Sequence, residues 1–126
     1  METLDGFPIE IRLDETLAKL KIDERRARKL RTDEIYRAAL SLIHPKVLYT
    51  RASVTTHGKD GVKIGESDFT SRILAKNLDT IDVVFPYIVT IGEALETEVR
   101  ACKNVLSQLV LDELGNAALE SSLSYL

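Results

Sequence analysis

Two hydrophobic periods divide this chain. Residues 7–13, Phe-Pro-Ile-Glu-Ile-Arg-Leu, place apolar side chains at Phe7, Ile9, Ile11 and Leu13. A period of two turns one face to a core, so the segment is predicted to be a strand. Pro8 has no N–H to give to a ladder, which puts it at the start of that strand or on a sheet edge. Asp14 then offers an N-cap for a short helical stretch through Leu17 and Leu20. From Asp23 to Ile43 the period lengthens, with Leu30, Tyr36, Ala39, Leu40 and Ile43 near helical spacing. Asp23 is the expected cap and Thr32-Asp33 offers a break into two helices. His44-Pro45 is the expected end, because a proline ring disfavours the helical conformation of the residue before it.

Residues 46–57 alternate again and are rich in β-branched side chains, which predicts one long strand. His57-Gly58-Lys59-Asp60-Gly61 is turn chemistry, and Val62-Lys63-Ile64 returns, so 46–66 is predicted to be a β-hairpin. Phe69, Ile73, Leu74 and Leu78 predict a helix capped by Ser67 or Asp68. Ile81–Ile91 is nearly continuous in apolar residues, which predicts a central strand covered on both faces; Pro86 argues against a ladder along its whole length. Gly92–Ala101 and Asn104–Tyr125 predict two further helices. The second carries the stripe Val105, Leu106, Leu109, Val110, Leu114, Ala117 and Ala118, with Gly115 inside it. A helical glycine costs about 1 kcal/mol against alanine, so close packing of another backbone against Gly115 is expected. The order β-α-α-β-β-α-β-α-α predicts an α+β fold, a mostly antiparallel sheet packed with helices, in a single domain of residues 1–126.

Composition narrows the function classes. The chain has 126 residues, 44% hydrophobic and 29% charged, with a net charge of −3. That excludes a strongly basic nucleic-acid coat and a polyacidic tail. One cysteine excludes an internal disulfide and an all-thiolate zinc site. No apolar run approaches the roughly 20 residues of a membrane span. Met1–Glu10 lacks the basic start and apolar stretch of a signal peptide, so the expected compartment is the cytoplasm. Charge is nonetheless uneven. Residues 1–78 hold 15 basic and 12 acidic side chains, whereas residues 79–126 hold 2 and 8. Opposite halves can pack together or steer a partner; differently charged solvated faces are the plainer reading.

Candidate chemistry is sparse. His44 and His57 are the only histidines, too few for a metal site without convergent carboxylates. Cys102 lies beside Arg100 and Lys103, cations that lower a thiol pKa, but no base stands at an obvious spacing. No Gly-x-Ser-x-Gly elbow presents a serine nucleophile. The run Arg25-Arg26-Ala27-Arg28-Lys29-Leu30-Arg31 can meet phosphates. It lacks interleaved aromatics and is flanked by Asp23, Glu24, Asp33 and Glu34, so a solvated helix face is the expectation and no nucleic-acid partner is assigned. Thr90-Ile91-Gly92 joins a strand to a helix, where backbone N–H groups can hold an anion. Glu93 would repel that anion, and tight strand-on-helix packing is the better reading.

Three segments together resemble a known family. They are Thr50–Thr56 with Gly61–Gly65; Phe69–Leu78; and Val89-Thr90-Ile91-Gly92-Glu93-Ala94-Leu95-Glu96 continuing to Leu109–Glu120. In this order they are similar to the stand-alone bacterial relatives of the activation domain of cobalamin-dependent methionine synthase. The Thr-Ile-Gly turn followed by Leu-Asp-x-x-Gly-x-x-Ala is the most specific part, and the likeness runs from about Phe7 to about Leu123. The resemblance implies binding of S-adenosylmethionine and reductive methylation of a corrinoid, which rescues cob(II)alamin. The family's Arg-x-x-Pro-Gly-Tyr stretch lies beyond the shared Leu-Asp-x-x-Gly segment, and no tyrosine here follows a Pro-Gly. The chain therefore resembles the first half of the family domain, and no catalytic, cofactor-binding or metal residue carries over. The expectation is a protein that is no enzyme by itself. It would serve corrinoid reactivation as a homo-oligomer or with a second subunit that completes the domain and covers the 105–118 stripe. A non-catalytic module that docks a corrinoid protein is the alternative.

Overall fold

The computed structural model describes residues 1–126. The protein is α+β. Its elements run Glu2–Asp5 (β1), Leu13–Lys19 (α1), Glu24–Leu30 (α2), Thr32–Leu42 (α3), Lys46–Tyr49 (β2), Ala52–His57 (β3), Gly61–Ile64 (β4) and Ser67–Thr70 (β5). Then come Arg72–Asn77 (α4), Val83–Val84 (β6), Tyr87–Thr90 (β7), Glu93–Ala101 (α5) and Val105–Tyr125 (α6). Three strands form a sheet in the order β1-β2-β7, and four form a sheet in the order β5-β4-β3-β6. The chain divides into two compact units, Met1–Thr3 with Leu48–Ile88, and Leu4–Val47 with Val89–Leu126.

The first unit is built on antiparallel pairing. β3 pairs with β4 through Val54↔Ile64 and His57↔Val62, with an irregularity between Val54 and Thr56. β4 pairs with β5, and β3 with β6. Val54, Val62 and Ala75 form its core, with Ile64, Leu74, Leu78 and Val84 packed around them. α4 starts at Ser71, whose hydroxyl accepts the Leu74 N–H at 3.2 Å.

The second unit is helical. α6 packs on α1, α3 and α5, and Val110, Leu111, Leu114 and Ala118 on it are buried together with Leu95, Ala39 and Ile43. Each large side chain so covered contributes about 1.5–3 kcal/mol relative to exposure. Asn104 caps α6 by accepting the Ser107 N–H at 3.0 Å. Asp23 caps α2 by accepting the Arg26 N–H at 2.9 Å. Arg31, with φ 59°, breaks α2 from α3 at the junction that Thr32-Asp33 marks in the sequence. Every buried polar side-chain atom has a partner; the Ser122 hydroxyl, for example, donates to the Ala118 carbonyl at 2.8 Å.

Several expectations are corrected. Residues 7–12 are not a strand; the first strand is β1. Their alternation is real, since Phe7 and Ile11 are buried, but the Glu10 N–H donates to Ser121 Oγ at 2.7 Å rather than to a ladder. Phe7 stacks on Tyr125, with ring centroids 4.9 Å apart. α1 starts from Arg12, with Asp14 in its first turn instead of at the cap. The strand expected over 46–57 is two strands of different sheets. β5 occupies Ser67–Thr70, where a helix was expected to begin, because this segment closes a second hairpin onto β4. The run 81–91 is not a buried central strand. It splits at Phe85-Pro86, where proline gives no donor, and Phe85, Tyr87 and Ile88 are exposed. Finally, the core of the α6 stripe does not lie open. Its own unit sheathes Val110, Leu114 and Ala118, while Val105 and Leu109 remain exposed. That stripe gives no ground for a second chain.

Candidate functional site

The helical unit holds a cleft of about 530 Å³ between the end of β7, α5 and α6. Helical spacing explains which side chains face it. On α6, Asp112, Gly115, Asn116 and Leu119 recur at three- and four-residue steps, so one face of the helix presents all four. On α5, Glu93, Glu96 and Val99 do the same. Ile91 and Leu95 contribute to its apolar lining.

Gly115 sets how closely these elements meet. A Cβ built there would stand 3.1 Å from Leu95 Cδ2 and 3.2 Å from Ile91 Cδ1. Two side chains, rather than a backbone, therefore fill the space the glycine leaves. Gly92 makes the turn into α5 with φ 96°, a conformation that L side chains rarely adopt. The His44 N–H donates to the Ile91 carbonyl at 2.8 Å, pinning that turn to the end of α3. The site thus joins the two most specific segments of the sequence, Thr90-Ile91-Gly92 and Leu111-Asp112 with Gly115.

The charge on the cleft is negative. Glu96 is paired with Arg100 one turn along α5 at 2.5 Å. Glu93 and Asp112 have no ion-pair partner. An apolar floor with free carboxylates at its margin suits an organic cation, whose carbon body is desolvated while its charge is matched.

A second cleft, about 420 Å³, lies between residues 10–19 and α6. Lys19 Nζ and Glu113 Oε1 meet across it at 2.7 Å, so two of its charges are already paired. That hydrogen bond raises the Lys19 pKa and lowers that of Glu113. Nothing in the hydrophobic pattern pointed to this pair, since both partners lie outside the apolar stripes.

None of the other candidates lines the first cleft, although His44 and Cys102 touch its lining through their backbone N–H groups. The His44 side chain is exposed, and His57 Nε2 bonds the Ile81 carbonyl at 3.0 Å. No three His, Cys, Asp or Glu side chains are grouped to hold a metal ion. The Cys102 thiol is half-buried and donates to the Asn104 carbonyl at 3.5 Å. Arg25, Arg26, Arg28 and Lys29 lie exposed on α2, with Arg31 after it. No helix is long and apolar enough to cross a membrane. Comparison with family models, curated proteins and solved structures finds no match.

Proposed function

We propose that this chain serves cobalamin-dependent methyl transfer as a relative of the methionine synthase activation domain, acting in corrinoid reactivation with S-adenosylmethionine in the cytoplasm. The observation that carries the reading is the meeting of Thr90-Ile91-Gly92 with Asp112 and Gly115 at one acid-margined apolar cleft. These are the segments on which the resemblance rests, and a sulfonium is an organic cation of the kind such a cleft suits. The corrinoid, with a one-electron donor, would supply the reductive chemistry, and S-adenosylmethionine would supply the methyl group and leave as S-adenosylhomocysteine. The protein's part is binding and electrostatics: Ile91, Leu95 and Leu119 would exclude water and Asp112 and Glu93 would face the positive charge. A partner chain carrying an Arg-x-x-Pro-Gly-Tyr segment would complete the site.

One feature supports the alternative, a non-catalytic module that docks a corrinoid protein. In the sheet-bearing unit, Phe69, Ile73, Phe85, Tyr87 and Ile88 are exposed, and exposed large apolar side chains are the material of interfaces. Calorimetric titration separates the readings. Saturable heat with S-adenosylmethionine is the result expected of the first. Its absence, together with retention of a corrinoid protein on the immobilised chain, would favour the second. No heat and no retained corrinoid protein would overturn both.

A further inference from the structure

The helical unit carries a second unpaired charge pattern, of opposite sign to the cleft. At about 100° per residue, Arg28, Arg25, Lys29 and Arg26 follow one another around about 160° of α2. This arc is opposite Ala27 and Leu30, the half-buried positions of the helix. None of these cations, nor Arg31, belongs to any of the six ion pairs of the protein. The spacing is also self-repelling. Arg25 and Lys29 are four residues apart, and Arg25–Arg28 and Arg26–Lys29 are three apart; such like-charged pairs cost a few tenths of a kcal/mol each. Within the seven-residue helix only Glu24, four residues before Arg28, is placed to offset that repulsion.

The acid-margined cleft has the complementary chemistry. An arginine side chain combines an apolar stem with a planar, charged fork that matches a carboxylate. A floor of Ile91, Leu95 and Leu119 beside Glu93 and Asp112 offers a surface for the stem and acceptors for the fork. Nucleic acid fits α2 less well: no aromatic residue interleaves the cations, and the chain as a whole is acidic.

We propose that a second copy of this chain seats the arginine face of its α2 on the acid-margined α5–α6 cleft of the first, so that the protein self-associates head to tail through unlike surfaces. This rests on the cleft as a receptor for organic cations, not on the reaction it serves. Because the two surfaces differ, the contact is either made twice across a two-fold axis or repeats into rings or open chains. Charge pairing at the contact makes the association salt-sensitive.

Charge-swap sedimentation velocity tests this on the full chain. At low ionic strength the wild type should show a sedimentation coefficient that rises with protein concentration, returning to the monomer value in about 0.5 M salt. Arg25→Glu/Arg28→Glu and Glu93→Lys/Asp112→Lys should each weaken association by about tenfold or more. Mixing the two variants should restore it, since each then offers the face the other has lost. All four positions are exposed, and circular dichroism of both variants checks that their helix content is kept. A wild type that is monomeric at every salt concentration overturns the proposal. So does association that survives both reversals, or a mixture that stays monomeric. Binding of a single-stranded oligonucleotide through α2, with no self-association, would assign that face to nucleic acid instead. Both occupants would use Glu93 and Asp112, so calorimetry with S-adenosylmethionine is run on the Arg25→Glu/Arg28→Glu variant, whose cleft is unaltered: heat there without wild-type self-association overturns only this proposal, and self-association without heat overturns only the sulfonium reading.

Discussion

Leu95 Cδ2 stands 3.1 Å from where a Cβ on Gly115 would lie, and Leu95 is only 2% exposed. The glycine therefore determines how near α5 comes to α6, and with it the floor of the cleft. Gly115→Ala gains helix propensity of about 1 kcal/mol but must displace Leu95 and Ile91 by a few tenths of an ångström. The expected outcome is stability within about 1 kcal/mol of wild type. Gly115→Val adds bulk with no such compensation and should cost about 2–3 kcal/mol. Urea unfolding midpoints of the two variants check both.

At Gly92 the constraint is conformational. Its φ of 96° disfavours any side chain, so Gly92→Ala should destabilise by about 1–2 kcal/mol. His44 lies beside it, with Cβ 3.5 Å from the position of the missing Cβ. Thermal unfolding measures the loss, and a Gly92→Ala protein as stable as wild type would contradict this account of the turn.

Capping gives a cleaner local test. Asp23 accepts the Arg26 N–H, and α2 is too short to persist without it. Asp23→Ala should cost about 1 kcal/mol, and Asp23→Asn much less, because the amide oxygen still caps. Amide hydrogen exchange over residues 24–30 should speed up in the alanine variant alone.

The Asp23 cap, the start of the last helix near Asn104 and a break near Thr32-Asp33 are legible in the sequence because caps and helix ends depend on local chemistry. The hairpin turn around Gly58 was legible for the same reason. Residues 7–12 were misread because alternation reports which side chains are buried, not whether the backbone has a ladder partner. Glu10 finds Ser121, far along the chain, and no local rule could supply that. Ile81–Ile91 misleads in the other direction: apolar composition implies burial, yet Phe85, Tyr87 and Ile88 face solvent. Of the candidate site, Thr90-Ile91-Gly92 and the Asp112–Gly115 segment were visible as separate motifs. Their meeting required the packing of α5 on α6. The Lys19–Glu113 pair left no trace in the pattern.

That pair makes a pH prediction. Its hydrogen bond to Lys19 lowers the Glu113 pKa below the ordinary 4.5, and the same bond raises Lys19 above 10.5. A carboxyl whose pKa falls on folding stabilises above its unfolded value, and that contribution is lost as pH drops through the folded value. A raised ammonium contributes below its unfolded value and is lost as pH rises through the folded one. Glu113→Gln should therefore lose less stability than wild type on acidification below pH 4.5. Lys19 is largely exposed, so added salt should shrink the difference. Denaturant midpoints across the acid range check the sign.

The most direct test of the proposed function is methyl chemical-shift mapping during titration with S-adenosylmethionine. Saturable shifts are expected at Ile91, Leu95 and Leu119, weakened about tenfold or more in Asp112→Lys, where a cation replaces the matching carboxylate. Absence of saturable shifts, or shifts confined to residues outside the cleft, would contradict the account.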